Sequence, residues 1–150
     1  MASIEEEIKQ KKFSSEYQKM VVNILYTGSW LSLLSTQMLK KYHISQEQFN
    51  VLRILRGQYP NPCSIQTIVE RMIDKSSNAS RIVEKLRTKE LATRKECEHD
   101  RRLVDVLITE KGMKLLAELD KTYEQWERTF GSVTEAEATE LNRILDKLRG

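Results

Sequence analysis

Two cysteines, two histidines and a cluster of serines, asparagine and arginines are the side chains of this 150-residue chain whose chemistry goes beyond packing. Cys97, Glu98, His99 and Asp100 form the one run that resembles a metal-ligand set. A zinc site takes three or four protein ligands, and the remaining pair, Cys63 and His43, lies far off in sequence. The run therefore reads as a polar hairpin tip, and no metal is expected. Lys95, Arg101 and Arg102 flank Cys97, and cations lower a thiol pKa, so a redox role for Cys97 stays open, with Cys63 the weaker candidate. No Ser-x-x-Lys, Gly-x-Ser-x-Gly, phosphate loop or paired carboxylates stand in a catalytic context. Neither an enzyme nor a cofactor is expected.

A second group has different chemistry. Ser76, Ser77, Asn78, Ser80, Arg81 and Lys85 fall on one face of a short amphipathic stretch, opposite Ala79, Ile82, Val83 and Leu86. Asn and Arg can make paired hydrogen bonds to adenine and guanine edges, and serines near a helix start can bind phosphate. Such a face can also be plain solvated surface. What favours the groove reading is the order of elements from Cys63 to Gly112. Two short helices are followed by two strands around a charged tip that carries Asp100, Arg101 and Arg102. A winged helix uses that order to set one helix in the major groove and a loop in the minor groove, where an arginine gains from the concentrated negative potential.

Charge agrees with that placement without proving it. The whole chain carries only +3, yet Lys75 to Arg102 holds nine basic side chains against five acidic ones. Hydrophobic residues are 39% and charged ones 31%, and five Gly with two Pro leave little room for an all-β fold. The opening MASIEEEIKQKK has no apolar core behind its charges, and no apolar run reaches the length of a membrane span. No signal peptide and no membrane are expected, and the cytoplasm is the expected compartment.

The elements that must position these residues follow from periodicity and caps. Ser3 with Glu6, Ser45 with Gln48 and Thr134 with Glu137 are capping boxes that open helices. Ser14-Ser15 breaks the chain before a long helical stripe through Val21, Leu25, Gly28, Leu31, Leu34 and Met38, spaced for a core or for a second chain. Gly57 and Pro60-Asn61-Pro62 end the helix that follows Ser45. Ser64 caps the next, with Ile65, Ile68, Val69 and Met72 expected inward, and Asp74 is expected to cap the helix after that. Leu91 to Lys95 and Leu103 to Ile108 suit strands, and Thr109 opens a helix carrying Leu119, Tyr123, Trp126 and Phe130. Leu141, Leu145 and Leu148 form a seam suited to a partner helix. Tyr26, Trp30, Met38, Phe49 and Trp126 suit either an apolar ligand pocket or ordinary core.

QFNVLRIL, SSNASRIVEKL, the DRR of the tip and VLITEKG, in this order and spacing, resemble the MarR-type winged-helix transcriptional regulators over roughly Tyr26 to Lys147. The resemblance implies one mainly α domain over residues 1–150 with a small β-hairpin wing. Its winged helix-turn-helix spans 45–109, and dimerisation helices lie in 1–44 and 110–150. It implies a homodimer on a pseudo-palindromic double-stranded DNA operator, usually a repressor and sometimes an activator, released by a small-molecule effector or by cysteine oxidation. It places the wing's Asp-x-Arg on Asp100 and Arg102, and joins the dimer through the N- and C-terminal helices, where the spacing of Leu141, Leu145 and Leu148 already suits a partner helix. A winged-helix protein-interaction module without DNA binding is the alternative. The family usually has Gly where this chain has Glu90, and a left-handed turn there costs a non-Gly residue roughly 1 kcal/mol.

Overall fold

Ser3, Ser15, Ser45, Ser64, Asn78, Thr109 and Thr134 each accept, on a side-chain oxygen, the backbone N–H three residues along. Each bond satisfies one of the orphan donors at a helix start. In the computed structural model, which describes residues 2–96 and 104–150, those caps open α1 (Ile4–Glu7), α2 (Glu16–Lys40), α3 (Gln46–Gln58), α4 (Ile65–Arg71), α5 (Ala79–Thr88), α6 (Glu110–Glu127) and α7 (Glu135–Arg149). The capping boxes at Ser3 and Thr134 are both complete.

One expected cap is corrected. Asp74 does not open α5; Asn78 does, accepting from the Arg81 N–H at 2.9 Å. The Asp74 carboxylate is instead taken up by the Ser76 N–H and by the hydroxyls of Ser76 and Ser77, at 2.9, 2.6 and 2.7 Å. Short polar side chains bind the backbone just ahead of them as readily as they cap a helix, and here the turn won.

Met1–Phe49 form one compact unit. Within it, Glu5 pairs with Lys19 at 2.6 Å and Tyr26 donates to Glu7 at 2.7 Å, tying α1 to α2. Gln46 donates to the Ser32 carbonyl at 2.6 Å and to Thr36 at 2.7 Å. Leu39 is the buried residue of α2. Val21 and Leu25 of the long stripe are 49% and 68% exposed in the single chain, and Leu31, Leu34 and Met38 are half-buried, so the stripe is not core within the chain itself.

Asn50–Gly150 form the second unit. Its fully buried side chains include Leu52, Leu55, Ile68, Met72, Val83, Leu86, Val106, Leu116 and Leu119, a core shared by α3, α4, α5, α6 and the sheet. Val69 was expected inward but is 38% exposed, because α4 is two turns long and buries only Ile68 within its span. The sheet has three antiparallel strands in the order β1-β3-β2, made of Cys63–Ser64, Val104–Ile108 and Ala92–Glu96. Cys63 lies opposite Val106, and Ala92 opposite Ile108. Two-residue β1 carries no periodic signal and was not expected from the sequence. The architecture is mainly α with a small β-hairpin wing.

The junction between α5 and β2 is built tightly. Glu90 has φ 61°, the left-handed turn anticipated at that position. Its N–H donates to the Arg87 carbonyl at 2.9 Å and the Leu91 N–H to the Leu86 carbonyl at 2.9 Å, the pair of bonds that closes a Schellman motif. The Glu90 carbonyl then accepts the Thr109 hydroxyl at 2.7 Å, and its carboxylate takes Lys111 at 2.9 Å. Gly112 is required here. A Cβ on it would run into the Leu91 carbonyl and stand 2.8 Å from Cγ1 of Ile108.

Candidate nucleic-acid interface

The α5 helix buries Ala79, Val83 and Leu86, with Ile82 half-buried. Residues spaced three and four apart share a helix face, so the opposite side necessarily carries Ser80, Arg81, Lys85 and Thr88. All four are exposed. The guanidinium of Arg81 and the ammonium of Lys85 meet no acidic side chain among the described residues. Exposed cations four residues apart on one face are what the electrostatic footprint of a nucleic-acid surface needs.

Farther along, the cations are paired. Glu84 holds Arg87, with the closest contact at 2.6 Å, and lies 4.0 Å from Arg94 on β2. The Arg87 guanidinium keeps the Glu84 carboxyl below its usual range, so it stays ionised. An acid in the middle of this face would repel phosphate if it stood alone. Paired with two arginines, it instead leaves the patch net positive.

Ser76, Ser77 and Asn78 lie in the connection before α5 rather than on its face. A hydroxyl has one donor, and those of Ser76 and Ser77 are spent on Asp74. The same hydroxyls, Ser76 first, hold the Asp74 carboxyl below its ordinary value. Asn78 has its Oδ1 committed to the Arg81 N–H, leaving Nδ2 outward as a donor. Lys75 donates to the carbonyls of Val69, at 3.2 Å, and of Glu70, closing the end of α4. The connection is thus held by its own side chains before anything docks on it.

Asp100, Arg101 and Arg102, together with Cys97, lie outside the described residues. Flanking them, β2 and β3 are in register from Ala92–Ile108 to Glu96–Val104. Cys63 is 2% exposed, and burial pushes its thiol above the ordinary value, which suppresses the reactive thiolate.

The five side chains suited to a pocket are distributed over three helices. Tyr26, Trp30 and Met38 are on α2, Phe49 on α3 and Trp126 on α6. Tyr26 and Trp30 are partly exposed at 39% and 45%, and Phe49 is buried. The Trp126 ring lies 5.0 Å from that of Tyr123, tilted by 47°, and meets Phe130 edge-on at 4.8 Å. Leu141 and Leu148 are about half exposed on α7, and Leu145 is half-buried.

Sequence reasoning missed two features. The Glu84–Arg87 pair is visible as an i,i+3 spacing of opposite charges. The bidentate pair between Arg56 on α3 and Asp120 on α6 joins residues 64 apart and has no local signal. No helix among the described residues is long and apolar enough to cross a membrane.

Comparison with known proteins places this geometry. The family model described as MarR family matches residues 44–104. The uncharacterised HTH-type transcriptional regulator YpoP of Bacillus subtilis is 30% identical over 106 residues, covering 70% of this chain and 74% of the relative. A MarR transcription factor structure from Planctomyces limnophilus superposes with a TM-score of 0.70 at 26% identity, covering 90% of this chain and 98% of that one. The structure of Bordetella bronchiseptica BpsR, whose DNA binding is regulated by 6-hydroxynicotinic acid, gives a TM-score of 0.71 at 25% identity, covering 87% and 99%.

Proposed function

This chain belongs to the MarR family of transcriptional regulators, and from that premise we propose that it binds a pseudo-palindromic operator in double-stranded DNA as a homodimer. In this reading α5 enters the major groove, Arg81 and the Nδ2 of Asn78 face base edges, and Lys85 faces phosphate. Asp100, Arg101 and Arg102 of the wing follow the minor groove, with Arg102 inserted. The dimer is joined by the terminal helices, through Leu141, Leu145 and Leu148 and the apolar side of α2.

The observation that carries the reading is the face of α5. Arg81 and Lys85 are exposed and meet no acid among the described residues, one turn apart on a helix whose other side is anchored by Val83 and Leu86. A rigid helix with outward cations supplies both register and counterion release.

The regulator acts in the cytoplasm as a repressor. A small ligand that binds only a spacing of the two recognition helices unfit for the operator releases the DNA. Support for ligand control is the likeness to BpsR, itself regulated by a small aromatic acid.

The test is selection of bound fragments from the source genome, followed by titration of the enriched duplex at several salt concentrations. The expected result is a palindromic site with a binding constant that falls steeply with salt. Enrichment of no duplex would sink the proposal and leave the protein-interaction module.

A further inference from the structure

Arg56 on α3 and Asp120 on α6 meet fork to fork, with Nη1 2.6 Å from Oδ2 and Nη2 3.0 Å from Oδ1. Three residues back along α3 and three forward along α6, the Arg53 guanidinium stands 5.7 Å from the centre of the Tyr123 ring. Residues three apart share a helix face, so the two contacts are successive rungs between one face of α3 and one face of α6. They sit where α6 leaves the core. Leu116 and Leu119 are fully buried, whereas no residue of α6 beyond Leu119 and none of α7 is buried.

Folding stability is only part of what such a pair supplies. Arg56 and Asp120 keep 31% and 47% of their side-chain surface in water, and ion pairs so exposed add little to folding. Two parallel hydrogen bonds instead add direction, because a planar guanidinium and a planar carboxylate meet well in few relative orientations. A single point contact would let α6 pivot about Leu119. A bidentate contact with a ring contact beside it resists that pivot.

We propose that Arg56 and Asp120 are positioning residues: with Arg53 over Tyr123, they fix the angle at which α6 leaves the winged helix, and thereby the separation of the two recognition helices. This rests on the reading of a homodimer bound to two half-sites. Neither Arg56 nor Asp120 lies on α5, the helix whose face is proposed to meet DNA. The pair acts through the direction of α6, which leads to α7 and its apolar seam.

The test has a DNA arm and a DNA-free arm. Duplexes selected by the wild-type chain from a random library are rebuilt with one base pair added or removed between the half-sites, and a single half-site serves as control. Arg56→Ala and Asp120→Asn are expected to bind the single half-site as the wild type does, while preference for the selected spacing falls about fivefold or more. The exchange Arg56→Asp with Asp120→Arg is expected to restore part of that preference. In the second arm, spin labels are placed at Thr88→Cys and Glu127→Cys in a Cys63→Ala, Cys97→Ser background. Dilution with unlabelled protein isolates the distance within one chain. The single variants are expected to shift or broaden that distance, and the exchange to narrow it again. An unchanged spacing preference or an unchanged distance distribution overturns the proposal. So does a loss of half-site affinity and melting temperature in step with operator affinity, since that is a merely structural role. If the wild type enriches no duplex, the DNA reading fails separately, and the distance arm alone decides whether the pair sets the angle.

Discussion

The carboxamide oxygen of Asn78 accepts the backbone N–H of Arg81 at 2.9 Å, so the residue that opens α5 also fixes the turn from which Arg81 projects. Losing such a cap to Ala costs about 1 kcal/mol. Asn78→Ala should lower the unfolding free energy by that amount, and Asn78→Ser should retain it, because a serine hydroxyl caps equally well. Denaturant unfolding followed by circular dichroism reads both. If Asn78→Ser keeps its stability but binds the operator less tightly, Nδ2 is the group the DNA uses. Equal affinity would make Asn78 a cap alone.

Glu90 and Gly112 should respond in opposite directions. Glu90 pays the left-handed cost at φ 61°, and glycine removes it, so Glu90→Gly is expected to raise the melting temperature by a few degrees. The exposed ion pair to Lys111 that it sacrifices is screened by water. Gly112→Ala has no such relief, because its Cβ meets the Leu91 backbone and Ile108. Overpacking of that kind costs about 1–3 kcal/mol. Calorimetry showing Gly112→Ala as stable as the parent would mean that the β3–α6 corner yields to the added methyl.

These junctions show what could be read from sequence. The α5 stripe, the Thr109 cap and the strongly β-branched β3 are local patterns, and period, cap chemistry and propensity agree on each of them. The left-handed turn at Glu90 was legible because the resemblance marked that position as one where glycine is usual. Asp74 was misassigned because an Asx turn and an N-cap share one signature, a short acceptor ahead of a helix, and only the path of the chain decides between them. The two-residue β1 and the Arg56–Asp120 pair had no local signal, since both depend on partners brought together by the fold. On the candidate interface, the outward side of α5 was legible from its buried side. That the hydroxyls of Ser76 and Ser77 are already committed was not.

Assembly is the next expectation. On α7, Leu141, Ile144 and Leu148 are 53%, 42% and 50% exposed in the single chain, and α2 adds Val21, Leu25 and Leu33 at 49%, 68% and 57%. Apolar surface of this extent on two helices calls for a partner. Light scattering should give a particle near twice 17.6 kDa. Leu141→Asp combined with Leu148→Asp should shift it to the single-chain mass while leaving the winged helix folded. A wild-type chain that stays monomeric at micromolar concentration would rule the homodimer out.

Reading and positioning on DNA should separate between two neighbours on α5. The Arg81 guanidinium can make paired bonds to a guanine edge, whereas the Lys85 ammonium acts as a point charge. Arg81→Ala should therefore relax base preference at one position of each half-site, at about 1–3 kcal/mol against the preferred base. Lys85→Ala should weaken all duplexes alike and reduce the salt slope by about one per site. Arg102→Ala, at the wing, should cost about 1–3 kcal/mol in operator affinity with an unchanged melting curve. The measurement is binding of each variant to a library of operator variants at several salt concentrations. If Arg81→Ala and Lys85→Ala both lose affinity uniformly, α5 only positions the protein. Sequence would then be read by the wing, through the width and stiffness of the minor groove.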